Sequence, residues 1–142
     1  MQQTNPYSKM RENAIMTAPK EELTLMLYDG ALKFINQAQI AMENKDPGKT
    51  HECLVRVQDI IREFQITLDR KHEVSQHFDI MYEYIFRRLV EANTKKDIEA
   101  VKECSELIRG MRDIWKEAMQ VARGAKAAQP GAPAATGKSL QG

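Results

Sequence analysis

The stretch EELTLMLYDGALKFI, residues 21–35, decides the fold, because it has the pattern of a helix but is too apolar for one buried face. At 100° per residue, one set of residues clusters on an arc of about 140° and predicts the core face. That set consists of Leu23, Leu27, Gly30, Ala31, Phe34, Ile35, Ala38 and Ala41. Leu25, Tyr28 and Leu32 fall about 180° away and form a second apolar strip. Two neighbouring helices would explain some of this width but not all three residues, so the strip predicts a further cover.

Three more segments show apolar residues three and four apart, which is typical of amphipathic helices. With the first, the predicted helices are approximately Pro19–Glu43, Thr50–Arg70, Ser75–Asn93 and Asp97–Arg123. Pro47 and Gly48 are expected to break the chain, Asn93 to stop the third helix in a left-handed conformation, and Asp97 to cap the fourth. Gly124 is expected to end the fourth helix. Since no segment alternates like a strand, the prediction is an all-α, antiparallel, up-down-up-down four-helix bundle.

The bundle is expected to occupy residues 18–123, between two polar segments of different character. Residues 124–142 are rich in Ala, Pro and Gly and are predicted to be a disordered tail. Residues 1–17 are predicted to be a short cap segment, in which Tyr7, Met10 and Ile15 are the larger apolar groups. These three side chains are candidates for covering the second strip of the first helix.

Charge and hydropathy exclude several classes of partner. The net charge is +1, which gives no bulk attraction toward nucleic acid or an anionic membrane. No apolar run is long enough to span a bilayer, and the N-terminal stretch MQQTNPYSKMREN lacks the apolar core of a signal peptide. We therefore expect a cytoplasmic protein with no membrane insertion and no nucleic-acid partner.

The sequence lacks the residue constellations that enzymes of this fold class use. Di-iron bundles need Glu-x-x-His motifs, and the nearest match, Asp69-x-x-His72, lies at a polar helix end. Cys53 and Cys104 fall among apolar core positions, where a thiol is inert. The pair Arg87-Arg88 is explained by salt bridges to Glu83, Glu91 or a neighbouring helix. We expect no catalytic residues, no metal and no cofactor, and these absences favour a protein-binding module.

Apolar residues also lie off the core stripes of the other helices. Ile80 and Tyr84 lie four apart on the third helix, and Leu107, Ile114 and Val121 lie seven apart on the fourth. Val55 and Ile66 lie off the stripe of the second helix. Soluble monomers rarely expose large contiguous apolar patches, so we expect a partner helix in a groove or the chain's own N-terminal segment to cover such surfaces.

Four sequence blocks resemble one known family. NPY near the N-terminus, ELTLMLYDGALKFI, YEYIFRRLVEAN and MRDIWKEA occur in the order and spacing of the flagellin-specific export chaperones, the FliS family. The resemblance covers roughly residues 5–122, and the first and third blocks together are its most specific part.

The resemblance implies a bundle that binds the disordered C-terminal segment of flagellin in the cytosol and prevents its premature polymerisation. It also implies delivery to the cytosolic domain of the flagellar type III export gate, without catalysis. On this basis Tyr7, Met10 and Ile15 are candidates for a movable cover, and Leu25, Tyr28 and Leu32 for a groove floor. Ile80, Tyr84, Leu107 and Ile114 are further candidate contacts, whereas Tyr82 and Phe86 are assigned to the core and Gly30 to a close helix approach.

Two alternatives come from other classes of protein. In the first, the same apolar strips form a homodimer, so that the bundle is a structural module with weak self-association. In the second, the chain is a metal- or redox-active helical enzyme.

Overall fold

The computed structural model describes residues 20–128, including the side chains of residues 20–124. Four helices follow one another: α1 (Lys20–Glu43), α2 (Pro47–Thr67), α3 (Val74–Lys95) and α4 (Ile98–Ala128). Helix α1 packs on α2 and α4, and α3 packs on the same two helices, so α1 and α3 lie diagonally opposite. The predicted all-α, up-down-up-down four-helix bundle is thus confirmed.

The corner between α1 and α2 differs from the prediction. Pro47 and Gly48 do not break the chain but form the first turn of α2, where a proline loses no helical hydrogen bond. Asp46 caps this turn, because its Oδ1 atom accepts a hydrogen bond from the Lys49 backbone N–H at 3.1 Å. The helix therefore begins three residues earlier than its apolar periodicity indicated.

The end of α3 was predicted too early in the sequence. The helix continues through Asn93 to Lys95, and Lys96 takes the left-handed conformation, with φ 53° and ψ 48°. The N–H of Lys96 bonds back to the Ala92 carbonyl, which satisfies one of the free carbonyls at the helix end. Asp97 then caps α4 as predicted, since its Oδ1 atom accepts from the Glu99 N–H at 3.0 Å.

The predicted end of α4 was also wrong. The helix passes through Gly124 and reaches Ala128, because a single glycine weakens a helix without ending it. The rest of the expected tail lies outside the described residues, as does the expected cap segment with Tyr7, Met10 and Ile15.

The size of the buried side chains changes along the bundle. Where α1 ends and α2 begins, they are mostly small: Ala38, Ala41, Thr50, Cys53, Ala92 and Ala100. At the opposite end they are large: Tyr28, Phe64, Tyr82, Met111 and Met119. We call these the small-residue end and the aromatic end. The core at the aromatic end is therefore built from larger side chains than the core at the small-residue end.

The buried face of α1 is rotated from the predicted one. Its buried residues are Tyr28, Ala31, Ile35, Ala38 and Ala41, so the face is centred near Ala31 and Ile35. Leu23 and Leu27, which defined the predicted centre, are only partly buried. Tyr28 is 2% exposed and belongs to the core. Its predicted place on a separate outer strip is therefore wrong. The buried face follows Ala31, Ala38 and Ala41 and not Leu23 and Leu27, and this rotation brings Tyr28 into the core.

Gly30 does not permit the close helix approach that was expected of it. A Cβ atom at this position would lie 3.8 Å from the Ile60 side chain, which is ordinary van der Waals contact. The glycine therefore weakens α1 without a steric reason in the bundle.

We predict that Gly30→Ala stabilises the protein by about 1 kcal/mol, because alanine favours the helix and its methyl group fits beside Ile60. Urea denaturation measures this change as a higher midpoint at an unchanged slope. A lower midpoint would show that the Ile60 side chain of α2 does not accommodate the added methyl group.

Candidate functional site

The aromatic end contains an open cleft of about 350 Å³. Helix ends surround it, with Lys20 and Glu21 of α1 on one side and the α2–α3 link on the other. Its apolar lining comes from Phe64, Leu68, Val74, Phe78 and Trp115, with Tyr28 and Tyr82 among the lining residues. We call this the end cleft.

A row of packed aromatic rings forms the base of the end cleft. The Phe64 ring lies between the two tyrosines, with centroid distances of 4.3 Å to Tyr28 and 5.3 Å to Tyr82. Phe78 extends the row, 6.3 Å from Tyr82. These distances lie in the range in which aromatic pairs attract one another. The base of the end cleft is therefore a packed surface.

A hydrogen bond joins the two tyrosines across the bundle diagonal. The Tyr28 and Tyr82 hydroxyl oxygens are 2.5 Å apart, and one hydroxyl donates to the other. Burial raises the pKa of both phenols above the ordinary tyrosine value, so both are neutral near pH 7. Within the described residues neither hydroxyl has a second partner, so one of the two protons has no acceptor in this part of the chain.

Polar contacts fix the rim of the end cleft. Trp115 of α4 donates its indole N–H to the Glu21 carbonyl at 3.0 Å, which ties α4 to the start of α1. On the other side, the Ser75 hydroxyl donates to the Asp69 carbonyl and closes the α2–α3 link. The cleft is thus built by residues far apart in sequence.

The predicted groove floor is divided between different surroundings. Leu25 lies in a shallow recess between α1 and α4, beside Met119, and Leu32 is partly buried against the core. Leu25 and Leu32 are seven residues apart and share one face of α1. Helix α4 thus covers much of the surface whose cover the sequence left open, and Asp29 reinforces the contact by accepting from Arg112 at 2.6 Å.

A second apolar surface lies along the outside of α3 and α4. Tyr84 of α3 donates its hydroxyl proton to Glu103 of α4 at 2.5 Å, which fixes the register of the two helices. One turn toward the aromatic end, Ile80 and Leu107 follow on the same side. Ile114 and Val121 continue the line along α4, and Ile80 and Ile114 are 66% and 55% exposed. We call Ile80, Tyr84, Leu107, Ile114 and Val121 the α3–α4 strip.

Arg88 anchors this register. Its Nε donates to Glu103 at 2.7 Å, and another of its nitrogens donates to Glu91 at 2.9 Å. Hydrogen bonds from Tyr84 and Arg88 hold the pKa of Glu103 below its usual range, so it remains an acceptor at neutral pH. The salt bridges predicted for Arg87 and Arg88 are confirmed, although that of Arg87 with Glu83 is loose, at 3.9 Å.

The described side chains do not provide a reactive centre. Cys53 and Cys104 are unpaired and buried as predicted, and burial raises the pKa of the Cys104 thiol to about 12. No group of three His, Cys, Asp or Glu side chains in this part of the chain could hold a metal ion. Within residues 20–128, no helix is long and apolar enough to cross a membrane.

Comparison with known proteins relates this bundle to a family. The model of the family described as "Flagellar protein FliS" matches residues 3–122. The chain belongs to the FliS family. The flagellar secretion chaperone FliS of Bacillus subtilis is 44% identical over 84% of this chain and 90% of its own length. Those of Escherichia coli and Salmonella typhimurium are 34% and 30% identical, over 82% and 75% of this chain and 88% and 81% of their own lengths.

Membership in the FliS family confirms the resemblance found in the sequence blocks. The family is one of flagellar secretion chaperones and not of enzymes, so neither apolar surface is a catalytic site. A chaperone acts by binding another polypeptide, so both apolar surfaces of this FliS-family chain are candidates for that contact.

The structure brings together only some of the candidate residues. Ile80, Tyr84, Leu107 and Ile114 share the α3–α4 strip, whereas Tyr28 lies in the core, apart from the partly buried Leu25 and Leu32. The end cleft was not predicted from the sequence, because Phe64, Phe78 and Trp115 have the three- and four-residue spacing of ordinary core positions. The available signal was the position of the aromatic residues, which an antiparallel bundle gathers at one end.

We predict that the two tyrosines of this FliS-family bundle act as a pair. Tyr28→Phe or Tyr82→Phe alone leaves the other hydroxyl buried without its partner, at a cost of about 1–3 kcal/mol. Tyr28→Phe/Tyr82→Phe removes both hydroxyls, so it is expected to cost less than the sum of the two single changes. Urea denaturation of the four proteins measures the coupling, and costs that simply add would contradict it.

Proposed function

We propose that this FliS-family protein is a cytoplasmic export chaperone whose client is the disordered C-terminal segment of flagellin. By holding that segment, it prevents premature polymerisation and assists delivery to the cytosolic domain of the flagellar type III export gate. The observation that supports the proposal is the presence of two open apolar surfaces, the end cleft and the α3–α4 strip, on one folded bundle.

A disordered client favours this arrangement of surfaces. Ordering a flexible segment opposes binding, so a large apolar contact area is needed to leave a useful affinity. The end cleft and the α3–α4 strip lie at the end and on the side of the bundle, so a segment that reaches both would wrap around it. A compact folded partner would reach only one of them without a large interface.

The N-terminal segment is proposed as the cover of the end cleft when no client is bound. Residues 1–19 join the bundle at Lys20, which itself lines the cleft. Ile15 is five residues from Lys20, so a chain of at most about 3.6 Å per residue brings it within roughly 18 Å. A backbone carbonyl of this segment would accept the unused proton of the tyrosine pair, and Tyr7 and Met10 would extend the cover.

We predict that the full-length protein binds a synthetic peptide of the C-terminal segment of its cognate flagellin with one-to-one stoichiometry. Because apolar surface is buried, the heat-capacity change on binding should be negative in calorimetry at several temperatures. A peptide of the same composition in scrambled order is the control. Absence of binding by the authentic peptide would refute the proposed function.

Deletion of residues 1–16 is predicted to expose the end cleft without unfolding the bundle. The truncated protein should bind more of an apolar fluorescent dye and bind the flagellin peptide more tightly, since the cover no longer competes with the client. Circular dichroism confirms that the helices remain. An unchanged dye signal and an unchanged affinity would show that the segment does not cover the cleft.

A further inference from the structure

Two lysines take a backbone conformation that is unusual for their residue type. Among the described residues other than glycine, only Lys45 and Lys96 have a positive φ angle, 55° and 53°. A Cβ atom makes this left-handed region costly, and the residue that takes it after a helix is usually glycine and sometimes asparagine. Both lysines therefore stand at positions where glycine would be the more stable residue.

The two corners that contain these lysines are built alike and lie at the small-residue end. Lys45 follows α1 and Lys96 follows α3, and each directly precedes the aspartate that caps the next helix, Asp46 or Asp97. The N–H of each aspartate also bonds back to a carbonyl of the preceding helix, at 2.9 Å and 3.0 Å. Neither lysine can therefore leave the left-handed conformation without a loss of backbone hydrogen bonds.

Attraction to the helix C-terminus does not account for lysine at both corners. A cation near the last turn is favourable, because the free carbonyls there carry partial negative charge. In α3, Lys95 already supplies such a charge from the last turn. The last turn of α1 has no basic residue, but a lysine within that turn would supply the same attraction without left-handed strain. The choice of lysine at Lys45 and Lys96 thus needs another reason.

Both lysines line one recess, which has a volume of about 250 Å³. We call it the corner recess, and its other lining residues are Met42, Asp46, Pro47 and Thr50. The Thr50 hydroxyl is already used, since it donates to the Asp46 carbonyl at 2.8 Å. Met42 and Pro47 contribute apolar surface. The corner recess therefore combines apolar walls with two lysine side chains.

The two lysines lack the ion pairs that neighbouring cations make. Lys95, next to one of them, pairs with Glu91 at 3.2 Å. Lys96 instead donates to the neutral amide oxygen of Asn93 at 2.6 Å. In the part of the chain that the structure describes, neither Lys45 nor Lys96 pairs with a carboxylate. Both ammonium groups therefore retain capacity for an anionic partner.

The corner recess suits a single carboxylate better than a polyanion. Asp46 lines it, and Glu43 is exposed two residues before Lys45, so the phosphates of a nucleic acid would meet negative charge beside the lysines. The net charge of +1 adds no bulk attraction for such a polymer. A glutamate or aspartate side chain has the matching chemistry, because its short stem can contact Met42 and Pro47 while its carboxylate meets the ammonium groups.

We propose that the corner recess receives an acidic side chain from a segment of a second protein, with Lys45 and Lys96 as the cationic contacts. The recess lies at the opposite end of the bundle from the end cleft, so this acidic partner and the client can be bound at the same time. The contact goes beyond the proposed function and does not depend on which client is held.

The first test uses hexaglutamate, acetylated and amidated so that only its side chains are charged, with the isotopically labelled full-length protein. Saturable NMR shifts are expected at the backbone amides of Lys45, Asp46, Lys96 and Asp97, and they should weaken as salt rises. A glycine–serine peptide of the same length should cause none. Equal shifts at lysines elsewhere on the bundle would show non-specific attraction and overturn the site.

The second test separates stability from binding. Lys45→Gly/Lys96→Gly relieves the left-handed strain, so its melting temperature should rise, whereas its affinity for hexaglutamate should fall by about tenfold or more. Lys45→Arg/Lys96→Arg keeps both charges and should bind like the wild type. Lys33→Gln/Lys116→Gln is the matched control, because it removes the same charge from two exposed lysines elsewhere, and it should also keep the affinity.

The remaining outcomes would each contradict the proposal. A lower melting temperature of the glycine variant would show that the lysines stabilise the corners, and an unchanged affinity would place the acidic contact elsewhere. Inorganic phosphate that shifts the same amides at lower concentration than hexaglutamate would assign the recess to phosphate. Because neither test uses flagellin, failure here leaves the proposed function standing, and failure of flagellin binding leaves the corner recess standing.

Discussion

The graded size of the core side chains is the constraint on which the open parts of this bundle depend. Protein interiors are close-packed, so four helices can approach only as far as their inward side chains allow. Alanines, Thr50 and Cys53 fill the core at one end, whereas Tyr28, Phe64 and Tyr82 fill it at the other. The same three rings also line the end cleft, so the cleft follows from the packing that holds the helices together.

The two apolar surfaces differ in chemistry. The end cleft is concave, with an aromatic base and a tyrosine pair that retains one unused proton, so it is suited to a segment that brings a hydrogen-bond acceptor with an apolar side chain. The α3–α4 strip is long, aliphatic and bordered by acidic residues, so it is suited to the face of a helix. A polypeptide able to use both must change conformation along its length, which is easier for a segment that is disordered before binding.

Much of the fold could be predicted from the sequence, because apolar spacing of three and four residues determines helix number and order. Helix boundaries were harder to predict where one residue type has two roles. A proline can interrupt a helix or begin one, and the Asp46 cap shows that Pro47 begins α2. The rotation of α1 was missed because a helical wheel weights Leu27 above Ala31, although the crowded centre selects the smaller residue. The strip could be found in sequence, since exposure follows from position on one helix, but the end cleft requires residues from all four helices.

The charged groups beside the α3–α4 strip join the two helices without covering it. The Arg88 side chain lies close to this face, but it donates to Glu103 and Glu91 and does not cover the strip. These polar contacts join α3 to α4, so the contact between the two helices does not depend on Ile80, Leu107 and Ile114 alone. By contrast, Arg62 is stacked on Phe86 in the next groove, where a bound helix would have to displace it. The placement of two arginines therefore distinguishes a groove in which a guanidinium covers an aromatic ring from a face on which apolar side chains remain exposed.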